Sequence, residues 1–160
     1  GGGDYGKDRL IPDAIRAWSQ KIPLVVRNLD NVRPWQHVLD LLNGYMLLAE
    51  SLYHNGDDYS GGWNFGPDTA DEVSVSEILK KAQKSWGPDA AWTINDQSHY
   101  KESHILSINS DKAKSLLDWR RIWSLDDTIH ATITWYKKQI SGADMRQFSI
   151  QQIESFINHR

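Results

Sequence analysis

The sequence of 160 residues contains no cysteine. This absence excludes disulfide bonds, thiolate nucleophiles and zinc sites that depend on cysteine. No run of residues approaches the roughly 20 apolar residues of a transmembrane helix, and no signal peptide is visible at the start. We therefore expect no membrane partner, and a cytoplasmic setting is the default expectation.

The common sequence motifs of catalysis are also missing. There is no G-x-x-x-x-G-K-[ST] loop, no G-x-G-x-x-G that follows a strand, no G-x-S-x-G and no H-E-x-x-H. The six histidines show no convincing metal-ligand spacing, and no tyrosine stands four residues before a lysine. We therefore assign to this chain no catalytic residue, no metal site and no cofactor-binding residue of its own.

Charge and aromatic content narrow the range of partners. The net charge is −3, and the lysines and arginines occur in scattered pairs, which are typical of solvated helix faces. We therefore expect no nucleic-acid partner. Eight tryptophans are many for this length. Their rings suit stacking on sugars or bases, although most tryptophans in proteins lie in a core or an interface.

Apolar residues at helical spacing predict about six helices. The strongest pattern begins at Val38 and ends in a turn at Gly56. The other helices are predicted near residues 11–18, behind the capping boxes that begin at Ser74 and Ser124, at residues 110–117, and after Gly142.

Four short segments are predicted as strands, at residues 23–26, 61–65, 92–94 and 105–108. They are too few and too short to form an independent sheet comfortably. The predicted fold class is therefore mixed α/β, in which helices and a few short strands need something else to pack on. We divide the chain into one domain at 1–140 and a C-terminal amphipathic helix at 141–160.

Three segments together resemble a known family. The first is the glycine-rich opening, which leads into Arg9-Leu10-Ile11-Pro12; the second is Arg33-Pro34-Trp35, which leads into the long helix. The third comprises Trp63-Asn64-Phe65-Gly66-Pro67, then Glu102, then Lys112-Ala113 and Leu117-Asp118-Trp119. In this order they resemble the extended short-chain dehydrogenases that act on nucleotide sugars. Pro34, where related branches have an acidic residue, is similar to the branch that acts on CDP-glucose.

The resemblance implies that the chain is the C-terminal, substrate-binding part of such an enzyme, and that the Rossmann nucleotide-binding half is missing. It implies NAD as a cofactor that the missing N-terminal part binds, and a parent that forms a dimer or tetramer. The implied reaction is the conversion of a nucleotide sugar to its 4-keto-6-deoxy form, a precursor of bacterial surface sugars. The chain alone is expected to be inactive.

The resemblance also implies substrate-binding residues. Arg33 is expected at the pyrophosphate, because a guanidinium donates two parallel hydrogen bonds and stays charged. A surface ion pair of Arg33 with Asp30 or Asp40 is the alternative. Arg9 is expected near the nucleotide, or else it is an ordinary solvated side chain.

The remaining expected contacts are to the nucleoside. Leu10 and Ile11 would touch the base or ribose, or else belong to the core. Glu102 would accept hydrogen bonds from the ribose hydroxyls, unless it is an ordinary exposed side chain. Arg27 would help to read cytosine.

Three alternatives to this interpretation stay open. The chain could be the same part of a sister dehydratase or epimerase. It could be a free-standing carbohydrate- or nucleotide-binding module, for which the tryptophan content is the only support. It could also be a fragment that associates through uncovered apolar faces, and an exposed apolar surface would favour that alternative.

Overall fold

The structure of the chain is a computed structural model, and it describes residues 1–95 and 103–159. Six α-helices lie within the described residues: α1 (Leu10–Ser19), α2 (Val38–Asn55), α3 (Val75–Trp86), α4 (Asp111–Leu116), α5 (Leu125–Ile140) and α6 (Met145–Asn158). The same residues contain four short strands: β1 (Leu24–Val26), β2 (Val32–Pro34), β3 (Glu72–Ser74) and β4 (Trp92–Ile94). Two short 3-10 turns, Gly56–Tyr59 and Thr69–Asp71, complete the elements. The predicted mixed α/β class is confirmed.

Local sequence signals determine where the helices begin and end. The Ser74 hydroxyl accepts a hydrogen bond from the Glu77 amide at 3.3 Å, and the Ser124 hydroxyl accepts one from the Asp127 amide at 3.2 Å. Both predicted capping boxes are therefore present at the starts of α3 and α5. Helix α2 ends before Gly56, whose φ of +57° lies in the left-handed region that glycine tolerates best.

The strands form two separate pairs. Strand β1 pairs with β4 in parallel, and β2 pairs with β3 in antiparallel register, with Arg33 opposite Val73. The predicted strands at 23–26 and 92–94 are confirmed. The strand predicted at 61–65 is wrong, because that segment forms no strand and pairs with no strand among residues 1–95 and 103–159. The strand predicted at 105–108 reduces to one bridge between Ile105 and Val32.

The main core lies between α1, α3, α5 and β1. Its most completely buried large side chains are those of Trp18, Ile78, Leu79, Ile133 and Tyr136. The Trp18 indole donates to the Ala91 carbonyl at 2.8 Å, so its polar atom is satisfied inside the core. Burial of side chains of this size stabilises the fold by about 1.5–3 kcal/mol each.

A smaller apolar cluster lies against one side of α2. It consists of Phe65, Ala113, Leu117 and Trp119. Asp40 connects this cluster to the start of α5: its backbone carbonyl accepts from the Trp119 indole at 3.1 Å, and its carboxylate accepts from the Ile122 amide at 2.7 Å. Burial raises the pKa of Asp40 above its usual value. Asp40 therefore joins α2 to the 119–122 segment.

The other side of α2 is uncovered. Of its 18 residues only Asp40 and Gly44 are buried. The exposed apolar side chains recur at helical spacing and form one stripe, which we call the α2 stripe: Val38, Leu42, Tyr45, Met46, Leu52 and Tyr53. Among the described residues no helix has the length and apolar character that crossing a bilayer requires.

The glycine-rich opening packs on α5. A side chain at Gly2 would overlap the Trp135 ring, and Gly3 has a φ of +86°. The Tyr136 hydroxyl donates to the Asp4 carbonyl at 2.5 Å. These contacts bring the opening to the start of α1, where the candidate site begins. The division at residue 140 stays a prediction.

Candidate functional site

A cleft of about 360 Å³ lies between the start of α1 and strands β1 and β2. We call it the α1–β2 cleft. Charged, amide and apolar side chains share its wall, and they are those of Asp8, Leu10, Asp13, Leu24, Val25, Val26, Arg27, Asn28, Asn31, Arg33, Trp35 and Val75. Three of the predicted substrate-binding residues, Leu10, Arg27 and Arg33, therefore meet in one cleft.

Arg33 is held at the centre of β2. Its Nη1 donates to the Val32 carbonyl at 2.8 Å and to the Ser103 carbonyl at 3.0 Å. Carbonyl groups orient a guanidinium without cancelling its charge. The ion pairs found between described residues do not include one of Arg33 with Asp30 or Asp40, and the role of Arg33 stays a prediction.

Arg27 follows β1 directly and is exposed to solvent. It makes no ion pair with any residue in the described ranges. Asp13, by contrast, is paired with Arg16 one helical turn further along α1. The cleft therefore contains two guanidinium groups and two carboxylates; the Asp13 carboxylate is already matched by a cation, and the Asp8 carboxylate is not. This balance suits a ligand with negative charge.

A second cavity of about 230 Å³ adjoins the cleft and shares Leu10 and Trp35 with it. Arg9 and Ile11 line this second cavity and are absent from the wall of the α1–β2 cleft. Arg9 donates to the Asp4 carboxylate at 2.7 Å. The Gly6 amide and then Arg9 lower the pKa of Asp4, so this pair stays ionised.

The predicted residue Glu102 lies outside the described residues. The structure therefore brings together Leu10, Arg27 and Arg33, and it places Arg9 and Ile11 beside them. Whether these side chains bind a nucleotide stays a prediction.

Sequence reasoning missed several polar residues of the cleft wall, among them Asp8 and Asn31. Asn31 is buried. Asp8 precedes Arg9, so an acidic side chain directly before the predicted basic residue was the signal that could have indicated it.

One buried histidine lies near the second cavity. His37 is 2% exposed, and its Nδ1 accepts a hydrogen bond from the Leu39 amide at 3.2 Å, which caps α2. Burial lowers the pKa of His37 to about 3, so the ring is neutral at physiological pH. No group of three or more potential metal-ligating side chains exists within residues 1–95 and 103–159. His37 is therefore a capping residue in this structure.

Comparison with known proteins finds relatives of this chain. Over 158 residues the chain is 40% identical to the CDP-glucose 4,6-dehydratase of Salmonella typhimurium, an alignment that covers 99% of this chain and 44% of that protein. This chain belongs to the extended short-chain dehydrogenase family. The prediction that it corresponds to only part of such an enzyme is confirmed by the coverage, since it spans less than half the length of this relative.

Members of the family with other substrates are also similar. The UDP-glucose 4-epimerase of Rhizobium leguminosarum is 32% identical over 108 residues, which is 67% of this chain and 31% of that protein. The UDP-glucuronic acid 4-epimerase of Bacillus cereus, solved with UDP-glucuronic acid and NAD, superposes with a TM-score of 0.70 at 20% identity. That superposition covers 82% of this chain and 40% of the solved one. No family model matches the chain.

Proposed function

We propose that this chain is the nucleotide-sugar-binding, C-terminal part of an NAD-dependent CDP-glucose 4,6-dehydratase. The observation that carries the proposal is the α1–β2 cleft, in which Arg27 and Arg33 meet beside Leu10. The 40% identity to a CDP-glucose 4,6-dehydratase over 99% of the chain supports the choice of substrate.

Each residue has a chemical role in this proposal. Arg33 binds the pyrophosphate, because its guanidinium is oriented by carbonyl groups at the cleft wall and can donate to phosphate oxygens. Leu10 contacts the nucleoside with its apolar side chain, and Arg27 donates to the base. Arg9 and Ile11 lie beside the nucleotide in the adjoining cavity. Glu102 accepts hydrogen bonds from the ribose hydroxyls.

The reaction converts CDP-glucose to CDP-4-keto-6-deoxyglucose and one water. The carbon skeleton keeps its overall oxidation state, because C4 is oxidised and C6 is reduced by the same amount while water is lost across C5 and C6. NAD supplies the hydride acceptor and donor, and it is held by the part of the enzyme that this chain does not contain. The residues of this chain hold the nucleotide and so orient the sugar. The product serves the synthesis of surface dideoxysugars in the cytoplasm.

The α2 stripe packs against the remainder of the enzyme. A stripe of six large apolar side chains on one exposed helix face is unusual for a protein that works alone. The Salmonella relative has more than half of its length outside the region that aligns with this chain, so that protein has further chain that could cover such a stripe. The complete enzyme forms a dimer or tetramer.

A second candidate is the same part of a nucleotide-sugar epimerase. The 32% identity to a UDP-glucose 4-epimerase favours it as the runner-up. The two candidates differ in the base that the nucleotide carries, cytosine in one and uracil in the other. A carbohydrate-binding module remains the third, and it would bind sugar without any nucleotide.

Calorimetric titration of the chain tests these candidates. We expect CDP-glucose and CDP to bind, dTDP-glucose to bind more weakly, and glucose not to bind. Arg33→Ala is expected to abolish binding, because it removes the cation that faces the phosphates. Arg120→Ala is the matched control. Arg120 is exposed, it pairs with Asp118 at a distance of 3.1 Å, and it does not line the cleft. Binding of glucose alone, unchanged in Arg33→Ala, would contradict the proposal and favour the carbohydrate module.

A further inference from the structure

Two charged side chains of the α1–β2 cleft are uncommitted. Asp13 is paired with Arg16, and Arg33 donates to two backbone carbonyls. Asp8 and Arg27, in contrast, make no hydrogen bond or ion pair with any residue of 1–95 and 103–159. The cleft therefore offers a ligand one free carboxylate, which only accepts hydrogen bonds, and one free guanidinium, which only donates them.

The position of Asp8 is set by the start of α1. Asp8 directly precedes Arg9, the residue before the first helical residue, and the Arg9 carbonyl accepts the first hydrogen bond of the helix from the Asp13 amide at 2.9 Å. Asp8 has a φ of +60°, a left-handed conformation that aspartate and asparagine adopt more readily than most residues. The backbone at this point therefore presents an acidic side chain at the cleft wall.

A carboxylate in this cleft cannot face the phosphates of a nucleotide, because like charges repel. It needs a neutral group that donates hydrogen bonds. In a nucleoside such donors are the ribose hydroxyls and the amino or imino groups of the base. Cytosine carries an amino group at ring position 4, whereas uracil and thymine carry a carbonyl oxygen there.

We propose that Asp8 is the residue that selects cytosine, by accepting a hydrogen bond from the amino group at position 4. This inference rests on the proposed function and names the specificity residue of the same cleft. Arg27 donates to O2 of the same ring, an acceptor that cytosine and uracil share, so it adds affinity without selecting the base. Uracil is rejected because its oxygen at position 4 would face the carboxylate, and two acceptors cannot share a hydrogen bond.

Titration with CDP and UDP tests this assignment in three forms of the chain: wild type, Asp8→Asn and Asp30→Asn. The wild type is expected to prefer CDP by about tenfold, the discrimination of one well-placed hydrogen-bonded contact to a base. In Asp8→Asn the ratio is expected to approach one, because an amide can accept from the cytosine amine or donate to the uracil oxygen. Asparagine also tolerates the left-handed backbone, so the variant keeps the loop.

The matched control is Asp30→Asn, which removes one negative charge from an exposed residue outside the cleft wall. It is expected to keep the tenfold preference, which would show that net charge is not the cause. Circular dichroism and the melting temperature establish that both variants are folded.

The outcomes separate the two proposals. If Asp8→Asn weakens the binding of CDP and of UDP by the same factor, Asp8 contacts the ribose. The specificity assignment is then overturned, and the proposed nucleotide site stands. If the wild type binds CDP and UDP equally, the assignment is also overturned. If the wild type binds neither nucleotide, the cleft is not a nucleotide site in this chain, and both proposals are overturned.

Discussion

Helices α2 and α5 are the two longest helices of the chain, and they differ in how much of each is covered. Helix α5 spans 16 residues, and its buried side chains form one continuous face: Leu125, Thr128, Ile129, Thr132, Ile133 and Tyr136. Helix α2 spans 18 residues and buries only Asp40 and Gly44. Both sequences have apolar residues at helical spacing.

The difference shows that amphipathic spacing predicts a helix but does not show what covers it. The face of α5 is covered by α1 and α3, which lie within the same chain. The α2 stripe has no such cover among the described residues. A helix can therefore be specified by its local sequence whether or not the described residues cover its apolar face.

The largest expected effect is on the covered helix. Ile133→Ala in α5 removes a completely buried side chain and leaves a cavity, so we expect a loss of about 2–5 kcal/mol in the free energy of unfolding. Met46→Ala in α2, where the side chain is 71% exposed, is expected to change that free energy by less than about 0.5 kcal/mol. Urea denaturation of both variants measures the contrast. Equal losses would show that the α2 stripe is covered in solution.

Gly44→Ala tests the side of α2 that is covered. In an exposed helix this change is favourable by about 1 kcal/mol. A Cβ at position 44 would overlap the Phe65 ring, so we expect overpacking to reverse the sign and cost about 1–3 kcal/mol. Thermal unfolding of the variant measures the sign. A raised melting temperature would mean that α2 does not lie against Phe65 as the structure has it.

The start of α2 is expected to make stability depend on pH. The pKa of His37 is about 3 in the folded chain and ordinarily about 6.5, so between these values the unfolded chain binds a proton that the folded chain does not. Stability contributed by neutral His37 is therefore complete above about pH 6.5 and is lost as the pH falls, by up to about 1.4 kcal/mol per pH unit.

His37→Asn is the variant that measures this dependence. Asparagine keeps a capping acceptor for the Leu39 amide but does not titrate. The free energy of unfolding of the variant should therefore depend less on pH between 7 and 5 than that of the wild type. The free energy of unfolding is measured against pH for the wild type and for His37→Asn, and one curve is subtracted from the other. The subtraction also cancels the contribution of Asp40, whose raised pKa makes stability change with pH in the opposite direction. Parallel curves would contradict the burial of His37.

The smallest expected effect on stability is at the α2 stripe. Met46→Lys should leave the free energy of unfolding within about 0.5 kcal/mol, because the side chain is exposed. It should nevertheless reduce self-association of the chain, since a charge interrupts an apolar surface that nothing in the described residues covers. Sedimentation velocity over a range of concentrations measures the association. Association that is unchanged by the substitution would place the contact elsewhere.

Parts of the candidate site could be predicted from the sequence. The resemblance to a known family indicated Arg33, Arg27 and Leu10, and these three side chains line one cleft. It also indicated Arg9 and Ile11, which the structure places in the adjoining cavity. The predicted residues are divided between two cavities because consecutive residues at the start of a helix point in different directions. The packing of α1 determines which cavity each of them lines.

The strands were harder to predict than the helices. Strand β2 contains a proline, which argues against a strand, and β3 begins and ends with polar residues, whereas β1 of the same length is entirely apolar. The segment at 61–65 has apolar and aromatic residues typical of a strand but no partner to pair with. Strand formation requires a second segment that is distant in the sequence, so a local pattern cannot decide it.

The sequence by itself determined the helices, their capping boxes, the turn at Gly56 and the absence of cysteine chemistry. These features depend on contacts between residues a few positions apart, which the order of residues specifies directly. Only the tertiary structure decided which helix face is covered, which short strands pair, and which charged side chains of the cleft remain uncommitted. Those outcomes depend on groups that are far apart in the chain, such as Asp40 and Ile122 or Arg33 and Ser103, and they exist only once the chain has folded.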